Sequence, residues 1–209
     1  MKGFFITFEG IEGCGKSTQA KLLFDYLVEN GYNVTLTREP GGTDISEKIR
    51  DLLLDCQNSK MNKETEILLY MASRSQHTGE LIIPALEGGS IVICDRYFDS
   101  TLAYQGYARG IEISTIKTIN SYASFGLVPD LTFFLDITID ESFRRIKDKK
   151  PDRLEYEPRS FHDKVKEGFN RIILDNPTRF VSINGQNSIC DVFNEIKETT
   201  LWKMKEGQR

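Results

Sequence analysis

Gly10-Ile11-Glu12-Gly13-Cys14-Gly15-Lys16-Ser17-Thr18 is the stretch that decides the fold of this 209-residue chain. It fits the pattern G-x-x-x-x-G-K-[ST], in which backbone N–H groups wrap closely around a polyphosphate. The glycines allow the close approach and the positive φ angles that a side chain would obstruct. The pattern predicts that Lys16 reaches the β- and γ-phosphates of a nucleotide and that the Ser17 hydroxyl ligates Mg²⁺.

The residues on either side of the loop supply the context that this motif needs. Phe4-Phe5-Ile6-Thr7-Phe8 precedes it and is a short apolar run, as expected of a buried parallel strand. After the loop, apolar residues recur at helical spacing until Asn30-Gly31, where the helix is predicted to end. The order strand, glycine loop, helix favours a phosphate site over the alternative, a glycine-rich surface turn ahead of an amphipathic helix.

Composition and charge limit the class of protein. The length suits one α/β domain, so a single domain over residues 1–209 is expected. The formal net charge of -4 argues against a broad nucleic-acid surface, and no nucleic-acid partner is expected. No apolar run reaches membrane-spanning length, and Met1-Lys2 leads directly into the first strand without room for a signal peptide. The 4 cysteines lie far apart without zinc spacing. Together these features predict a cytoplasmic protein with free thiols and no membrane partner.

Further strand-like runs lie at residues 33–37, 90–94, 131–137 and 179–183, with helical patterns between them. Alternation of strands and helices indicates an α/β protein with a parallel sheet. With the first strand and its loop, the pattern predicts a P-loop NTPase fold, in which a five-stranded parallel sheet is flanked by helices on both faces. Ligands on such sheets bind beyond the carboxyl ends of the strands, so polar residues directly after each strand are candidates for the site.

Two segments follow the second and third predicted strands. Arg38-Glu39-Pro40-Gly41-Gly42 is a turn beside the phosphate loop, and we expect it to contribute to the site. The alternative is a plain strand-to-helix turn with a solvated ion pair. Asp95 ends the apolar run Ile91-Val92-Ile93-Cys94, a position from which an acid can hold Mg²⁺ directly or through water. Arg96 could bind a phosphate bidentately, although a buried structural Asp–Arg pair is the alternative. Ser17 and Asp95 are therefore the predicted metal ligands.

Two other segments place aromatic and polar side chains on predicted helices. A helix is predicted from residue 64 towards residue 86, with a kink near Pro84. Tyr70 and Arg74 are four residues apart in it, so they share one face and could stack on a base and hydrogen-bond its edge. An aromatic–arginine pair that only packs locally is the commoner case. Residues 99–106 include Ser, Thr, Tyr and Gln, which offer both donors and acceptors to a neutral base, although composition alone predicts only a capped helix start.

A cluster of cations follows the fourth predicted strand and consists of Arg144, Arg145, Lys147, Lys149, Lys150 and Arg153. A run of charges is normally a solvated helix face. However, the phosphate loop contains the acid Glu12 and no arginine, and phosphoryl transfer needs cations on the transferring group beyond Lys16 and Mg²⁺. We therefore expect a short, mobile basic lid, over about residues 147–158, that closes over the site.

The chain resembles the thymidylate kinase family, the dTMP kinases among the nucleoside monophosphate kinases. The matching pieces occur in the family's order: residues 8–18, Thr37-Arg38-Glu39-Pro40-Gly41-Gly42-Thr43, Asp95-Arg96-Tyr97, Ser100-Thr101-Leu102-Ala103-Tyr104-Gln105-Gly106 and Pro129-Asp130-Leu131-Thr132. The phosphate loop is shared by many NTPases, whereas the second and fourth pieces are far more specific. The phosphate loop contains no arginine, and the predicted lid is basic. Both features are similar to the bacterial form of this family.

The resemblance implies transfer of the ATP γ-phosphoryl group to dTMP in dTTP synthesis, with Mg²⁺ as cofactor, ATP and dTMP as small-molecule substrates and a homodimer as the usual assembly. The residues implied in ATP binding are Gly10, Ile11, Glu12, Gly13, Cys14, Gly15, Lys16, Ser17, Thr18 and Arg145. Those implied in dTMP binding are Glu12, Arg38, Tyr70, Arg74, Arg96, Ser100, Thr101, Tyr104 and Gln105. The catalytic set that it implies is Lys16, Arg153, Glu12 and Arg96.

The resemblance also implies separate roles around the reacting phosphates. Arg96 and Arg38 would hold the dTMP phosphate, and Glu12 would meet the dTMP 3′-hydroxyl or a metal-bound water. Tyr104 would crowd the sugar 2′ position and so disfavour ribonucleotides. Arg153, within Asp152-Arg153-Leu154-Glu155, matches the lid arginine.

At the base, the resemblance implies that Tyr70 stacks on thymine, at a position where the family usually has phenylalanine. Arg74 would donate a hydrogen bond to thymine O4, and Thr101 would meet the edge of the base. These roles predict a pocket that reads a pyrimidine from its face and from one edge.

Two other functions remain open from the sequence. A kinase for dUMP, UMP or a purine monophosphate would share the phosphate loop and differ in the acceptor pocket. A nucleotide-dependent switch would hydrolyse its nucleotide slowly and act through partners. A GTPase of that class should carry Asn-Lys-x-Asp after a strand, and the sequence does not contain this motif.

Overall fold

Five parallel strands form one sheet in the order β2-β3-β1-β4-β5. The computed structural model describes residues 3–148 and 151–206. Within these residues the strands are β1 (Phe4–Glu9), β2 (Val34–Arg38), β3 (Ile91–Asp95), β4 (Leu131–Asp136) and β5 (Phe180–Asn184). Every end of these strands lies within one residue of its predicted position, and the predicted α/β fold class is confirmed.

Helices connect consecutive strands, as parallel pairing requires. They are α1 (Lys16–Glu29), α2 (Asp44–Leu54), α3 (Lys63–His77), α4 (Ile83–Glu87), α5 (Phe98–Thr101), α6 (Ile113–Ala123), α7 (Ile139–Ile146), α8 (Arg159–Asp175) and α9 (Ile189–Glu206). Among the described residues, none of these helices combines the length and the apolar character needed to cross a membrane.

Alternate residues of the central strands pack on opposite faces of the sheet, as strand geometry requires. On one face, Ile6 and Phe8 of β1 belong to the large core. On the other face, Phe5 packs with Val92 in a smaller cluster, where its ring meets the edge of Tyr97 with 5.0 Å between centroids. All five side chains are at most 1% exposed, and burial of each contributes about 1.5–3 kcal/mol. This packing fixes β1 and β3, whose ends carry the candidate site.

Two π-helical turns interrupt the predicted helices. The helix predicted from residue 64 towards residue 86 ends at His77 and continues through a π-helical turn (Thr78–Ile82) into α4. Pro84 lacks an N–H and crowds the carbonyl four residues earlier, which explains the change in hydrogen bonding before it. A second π-helical turn (Leu102–Ala108) follows α5, where the sequence predicted only a helix start. Such turns are frequent at functional sites.

Candidate active site

A cavity of about 340 Å³ lies beyond the carboxyl ends of β1, β2 and β3, where parallel sheets bind ligands. Its wall includes every residue that the resemblance assigns to the acceptor nucleotide: Glu12, Arg38, Tyr70, Arg74, Arg96, Ser100, Thr101, Tyr104 and Gln105. Gly13, Lys16, Ser17 and Asp95 line the same cavity. The predicted phosphate site and the predicted acceptor pocket are therefore parts of one continuous space.

The phosphate loop connects β1 to α1 and is braced from behind by α7. Gly13 has φ 71°, and a Cβ there would lie 3.2 Å from the backbone oxygen of Ser142, which in turn donates its hydroxyl to the carbonyl of Glu12 at 2.7 Å. Gly15 precedes α1 at φ 102°, and no side chain caps the amide groups of the first turn. Ser17 and Thr18 lie in that turn. The loop thus presents backbone N–H groups and a helix N-terminus to an anion.

The Lys16 ammonium lies over the mouth of the loop. Its Nζ donates to the carbonyls of Gly10 at 3.1 Å and Ile11 at 2.9 Å, and lies 3.5 Å from Sγ of the buried Cys14. The side chain is only 8% exposed, so its charge acts in a partly desolvated site. A cation in this position neutralises bound phosphate more strongly than one in open solvent.

The predicted metal ligands lie together at the edge of the cavity. The Ser17 hydroxyl donates to Oδ2 of Asp95 at 2.5 Å. One hydroxyl and one carboxylate fit Mg²⁺, which usually takes few protein ligands and completes its shell with phosphate oxygens and water. In residues 3–148 and 151–206, no group of three or more His, Cys, Asp or Glu side chains could hold a metal ion. The donor set therefore suits a metal that arrives with a nucleotide.

Arg96 is at the centre of the hydrogen-bond network on the cavity floor. Its Nη2 donates to Oε1 of Glu12 at 2.7 Å and to the Tyr104 hydroxyl at 3.2 Å, while Nη1 donates to Gly10 O and to Oγ of Ser100, both at 2.9 Å. The backbone of Arg96 has φ 71°, a left-handed conformation that is strained for a residue with a side chain. The surrounding contacts hold it there and keep the guanidinium charge at the cavity floor, with each Nη atom donating to two protein oxygens.

Glu12 and Glu9 differ in charge state because their surroundings differ. Burial raises the pKa of Glu12, but the charges of Arg96 and Lys16 and the Tyr104 hydrogen bond outweigh it and leave the pKa below its usual value. Glu12 is thus an anion that balances Arg96. Burial and the charge of Asp99 raise the pKa of Glu9 to about 7. Glu9 accepts hydrogen bonds from the backbone of Tyr97 at 2.8 Å and from the Ser100 hydroxyl at 2.6 Å, and so positions the segment after β3.

The opposite wall of the cavity carries the groups predicted to read a base. Arg74 is buried, and donates through Nε to Glu39 at 2.8 Å and through Nη1 to Thr101 at 2.9 Å and Asn120 at 2.6 Å. The Glu39 carboxylate also lies 2.7 Å from Arg74 Nη2. Tyr70 lines the same wall, one helical turn before Arg74. The Tyr70–Arg74 pair is therefore built into a wall around a cavity and is more than local packing on a helix.

Arg50 is a cavity residue that the sequence analysis missed. It lies on α2, and its Nη1 donates to the carbonyl of Pro40 at 2.7 Å. Arg38, which the sequence did predict, shares Nη2 between both carboxylate oxygens of Glu47 at 2.9 and 3.0 Å. Burial and the neighbouring charge of Arg38 lower the pKa of Arg50. Two crowded cations on a cavity wall create a site that an anion would stabilise.

The basic cluster is divided between different surroundings. Arg145 donates to the carbonyls of Gly13 at 3.2 Å and Gly185 at 3.0 Å, which places it against the phosphate loop. Arg144 pairs with Glu141 on the surface. Lys147 is exposed, and Lys149 and Lys150 lie outside the described residues.

Arg153 differs most from its predicted position. It is buried, and its Nη1 donates to Oε2 of Glu66 at 2.6 Å. Within the described chain it is not among the residues that line the main cavity, whereas Asp152, Leu154 and Glu155 line it and were not predicted. The predicted contact between Arg153 and a transferring phosphoryl group is not made in this arrangement. It stays a prediction that requires the segment to move.

Comparisons with known proteins show the family of this chain. The family model described as thymidylate kinase matches residues 8–196. A thymidylate kinase from Thermoanaerobacter sp. (strain X514) is 48% identical over 94% of this chain and 96% of its own length, and one from Bacillus pumilus (strain SAFR-032) is 42% identical over 100% of both. The crystal structure of thymidylate kinase from Ehrlichia chaffeensis superposes with a TM-score of 0.79 at 37% identity, over 96% of this chain and 99% of that one. The chain therefore belongs to the thymidylate kinase family.

Proposed function

We propose that the protein transfers the γ-phosphoryl group of ATP to dTMP and releases dTDP and ADP, a step in dTTP synthesis. The observation that carries the proposal is the continuity of the cavity. One end is the phosphate loop with Lys16, the other is a base-sized wall with Tyr70 and Arg74, and Arg96 lies between them. Such a space suits two nucleotides whose phosphate ends meet.

ATP would bind with its β- and γ-phosphates in the loop, where backbone amides, Lys16 and the start of α1 face the same point. Arg145 would border this site, because it already contacts the loop carbonyl of Gly13. Ser17 and Asp95 would hold Mg²⁺, which supplies charge neutralisation on the phosphate oxygens when it is bound.

The dTMP phosphate would bind beside Arg96 and Arg38, with Arg50 as a third cation on the same wall. The base would stack on Tyr70, and its edge would meet Arg74 and Thr101. Four of the five Arg74 N–H groups have partners among the described residues, so an Nη2 N–H remains for an oxygen of the base. An acceptor with an exocyclic amine at that edge would place two donors against each other, which favours thymine over cytosine.

The mechanism needs little acid–base chemistry, because the acceptor oxygen belongs to a phosphate that is already ionised. Catalysis would consist of alignment and charge neutralisation. Lys16 and Arg96 cancel the repulsion between the two phosphate groups, and Glu12 fixes the orientation of Arg96 through their ion pair at 2.7 Å. A lid over about residues 147–158, in a single domain spanning residues 1–209, would exclude water during transfer.

A coupled assay of ADP release tests the function directly. With ATP fixed, dTMP, dUMP, UMP and dGMP are compared as acceptors, and dTMP should give the highest kcat/KM. A preference for UMP would indicate the alternative of a different nucleoside monophosphate kinase. ATP hydrolysis at the same rate without any acceptor would support a nucleotide-dependent switch instead.

We also propose that the protein acts as a homodimer. Leu68 on α3 and Tyr122 and Phe125 at the end of α6 are exposed apolar side chains on adjacent helices, a pattern typical of an interface. Sedimentation velocity should give a dimer for the wild-type protein and a monomer for Tyr122→Asp. Leu174→Asp, an equally exposed site on α8, is the matched control and should leave the assembly unchanged. A monomeric wild-type protein at micromolar concentration would contradict the proposal.

The proposed place of action is the cytoplasm. The cysteines Cys14, Cys56, Cys94 and Cys190 are all free thiols in the structure. Free thiols, two of them exposed, are typical of proteins in a reducing compartment. Localisation of a fluorescent fusion within cells would test this placement.

A further inference from the structure

The segment that contains Arg153 is fixed to α2 and α3 by both the side chain and the backbone of this residue. The Arg153 side chain is 8% exposed. Its Nη1 donates to Oε2 of Glu66 at 2.6 Å and its Nε to the carbonyl of Leu53 at 2.8 Å. The backbone N–H of Arg153 donates to the carbonyl of Leu54 at 3.2 Å. The guanidinium is thus an attachment point between the segment and the two helices.

The neighbours of Arg153 in the chain are placed differently. Asp152, Leu154 and Glu155 line the main cavity. Oδ1 of Asp152 accepts hydrogen bonds from the backbone of Leu154 at 2.8 Å and of Glu155 at 3.0 Å, which makes the turn one unit. Tyr70, the ring predicted to stack on the base, lines the same cavity as Asp152. The turn therefore covers the acceptor end of the cavity.

Glu66 joins this turn to the base-reading wall. The carboxylate is 1% exposed. Its Oε1 accepts a hydrogen bond from Nε2 of Gln105 at 2.8 Å, and Oε2 accepts one from Arg153 at 2.6 Å. Arg109 donates to both oxygens, at 3.2 Å each. Arg109 also contacts Glu157 at 2.6 Å, which is a second link to the same segment. One buried anion thus connects α3, the π-helical turn with Gln105 and the segment over the cavity.

The charge on Glu66 is essential to this arrangement. Burial raises its pKa, but hydrogen bonds from Arg109, Gln105 and Arg153 outweigh burial and leave the pKa below its usual value. The group is therefore ionised at neutral pH and faces the buried Arg153 and the half-buried Arg109. Removing its charge would leave both guanidinium groups without their common partner.

We propose that Glu66 is a positioning residue, which holds residues 152–155 over the acceptor nucleotide through Arg153 and couples this cover to the base wall through Gln105. The inference rests on the proposed function. It gives Arg153 the role of an anchor, in place of the contact with the transferring phosphoryl group that the sequence predicts. The two roles affect different kinetic constants, so one set of variants separates them.

The test compares Glu66→Gln and Arg153→Met in the full-length protein with ATP and dTMP. If Glu66 and Arg153 act as anchors, each substitution should raise KM for dTMP by about tenfold or more, because losing a hydrogen bond between charged groups costs that much binding free energy. KM for ATP should stay within about twofold of the wild-type value. KM for dTMP in the double variant should not exceed the larger of the two single-variant values, because both substitutions remove the same Glu66–Arg153 contact. Arg153→Lys, which keeps a cation against Glu66, should recover most of the affinity for dTMP.

Glu167→Gln is the matched control, because its partner Arg171 lies on the exposed face of α8. It should leave both KM values unchanged.

If Arg153 instead contacts the phosphoryl group, Arg153→Met will lower kcat by about 10³-fold with KM for dTMP unchanged, and Glu66→Gln will leave kcat unchanged or raise it. That result would overturn the proposal. If Glu66→Gln fails to fold, the KM for dTMP of Arg153→Met compared with that of Arg153→Lys decides between the two roles of Arg153. A wild-type protein inactive with dTMP would refute the proposed function itself.

Discussion

The Tyr104 hydroxyl is the best place to test how the site is held together. It donates to Oε2 of Glu12 at 2.6 Å and lies 3.2 Å from Nη2 of Arg96, and the side chain is 4% exposed. Tyr104→Phe keeps the ring and its edge contacts with Phe161 and Phe169, whose centroids are 6.1 and 6.3 Å away. No cavity is created, so the variant removes only the two hydrogen bonds of the hydroxyl, one donated to the half-buried Glu12 carboxylate and one accepted from Arg96. The bond to the charged carboxylate is worth about 1.5–3 kcal/mol and sets the expected loss.

We expect Tyr104→Phe to lower the free energy of unfolding by that amount in urea denaturation, and to lower Tm by roughly 3–12 °C in a chain of this size. The kcat/KM for dTMP should fall by about tenfold, because Arg96 Nη2 loses one of its two protein contacts. Trp202→Phe is the control, since Trp202 is an exposed aromatic side chain on α9 and neither quantity should change. A free energy of unfolding within about 0.5 kcal/mol of wild type for Tyr104→Phe would refute the argument.

Three other perturbations test separate parts of the site. Lys16→Ala should abolish transfer to dTMP and keep the circular dichroism spectrum, whereas retained turnover would exclude the lysine from the mechanism. Arg96→Lys should lower kcat/KM for dTMP by about ten- to a hundredfold, because an ammonium cannot reproduce the planar fork that joins Glu12, Ser100 and the Gly10 carbonyl, and unchanged kinetics would count against this role of the guanidinium. The pKa of Glu9, raised from 4.5 to about 7, means that the folded state keeps a proton which the unfolded chain releases. The free energy of unfolding should therefore fall by ~3 kcal/mol as pH rises from 4.5 to 7, and Glu9→Gln should remove this slope; equal slopes would contradict the assignment.

The sheet could be predicted closely because parallel strands leave a strong local signal. Each is a short apolar run that must be buried on both faces, and each is bounded by turn residues or a helix start. The phosphate loop then fixed which end of the sheet carries the site. A break near Pro84 could be predicted, because proline removes a helical hydrogen bond. The second π-helical turn, which carries Tyr104 and Gln105, could not, because it depends on tertiary packing.

The site could be predicted where a motif marks the residue, as for Lys16 in the phosphate loop, or where the residue directly follows a strand, as Arg96 follows β3. Arg50 left no such signal, since one arginine on the amphipathic helix α2 looks like any other solvated charge. The direction of Arg153 was also beyond the sequence. Its partner Glu66 lies 87 residues earlier in the chain, and the turn at Asp152 decides which side chains face the cavity. Asp152, Leu154 and Glu155 line the cavity while Arg153 does not, a division that follows no simple alternation along the chain.

The central claim is that the cations of one cavity hold two phosphate groups against each other. A crystal structure with dTMP and a non-hydrolysable ATP analogue measures this directly. The account predicts the dTMP phosphate on Arg96, with one of its oxygens about 3–3.5 Å from the γ-phosphorus held beside Lys16. Two nucleotides bound with their phosphate ends apart, or a dTMP phosphate remote from Arg96, would contradict it.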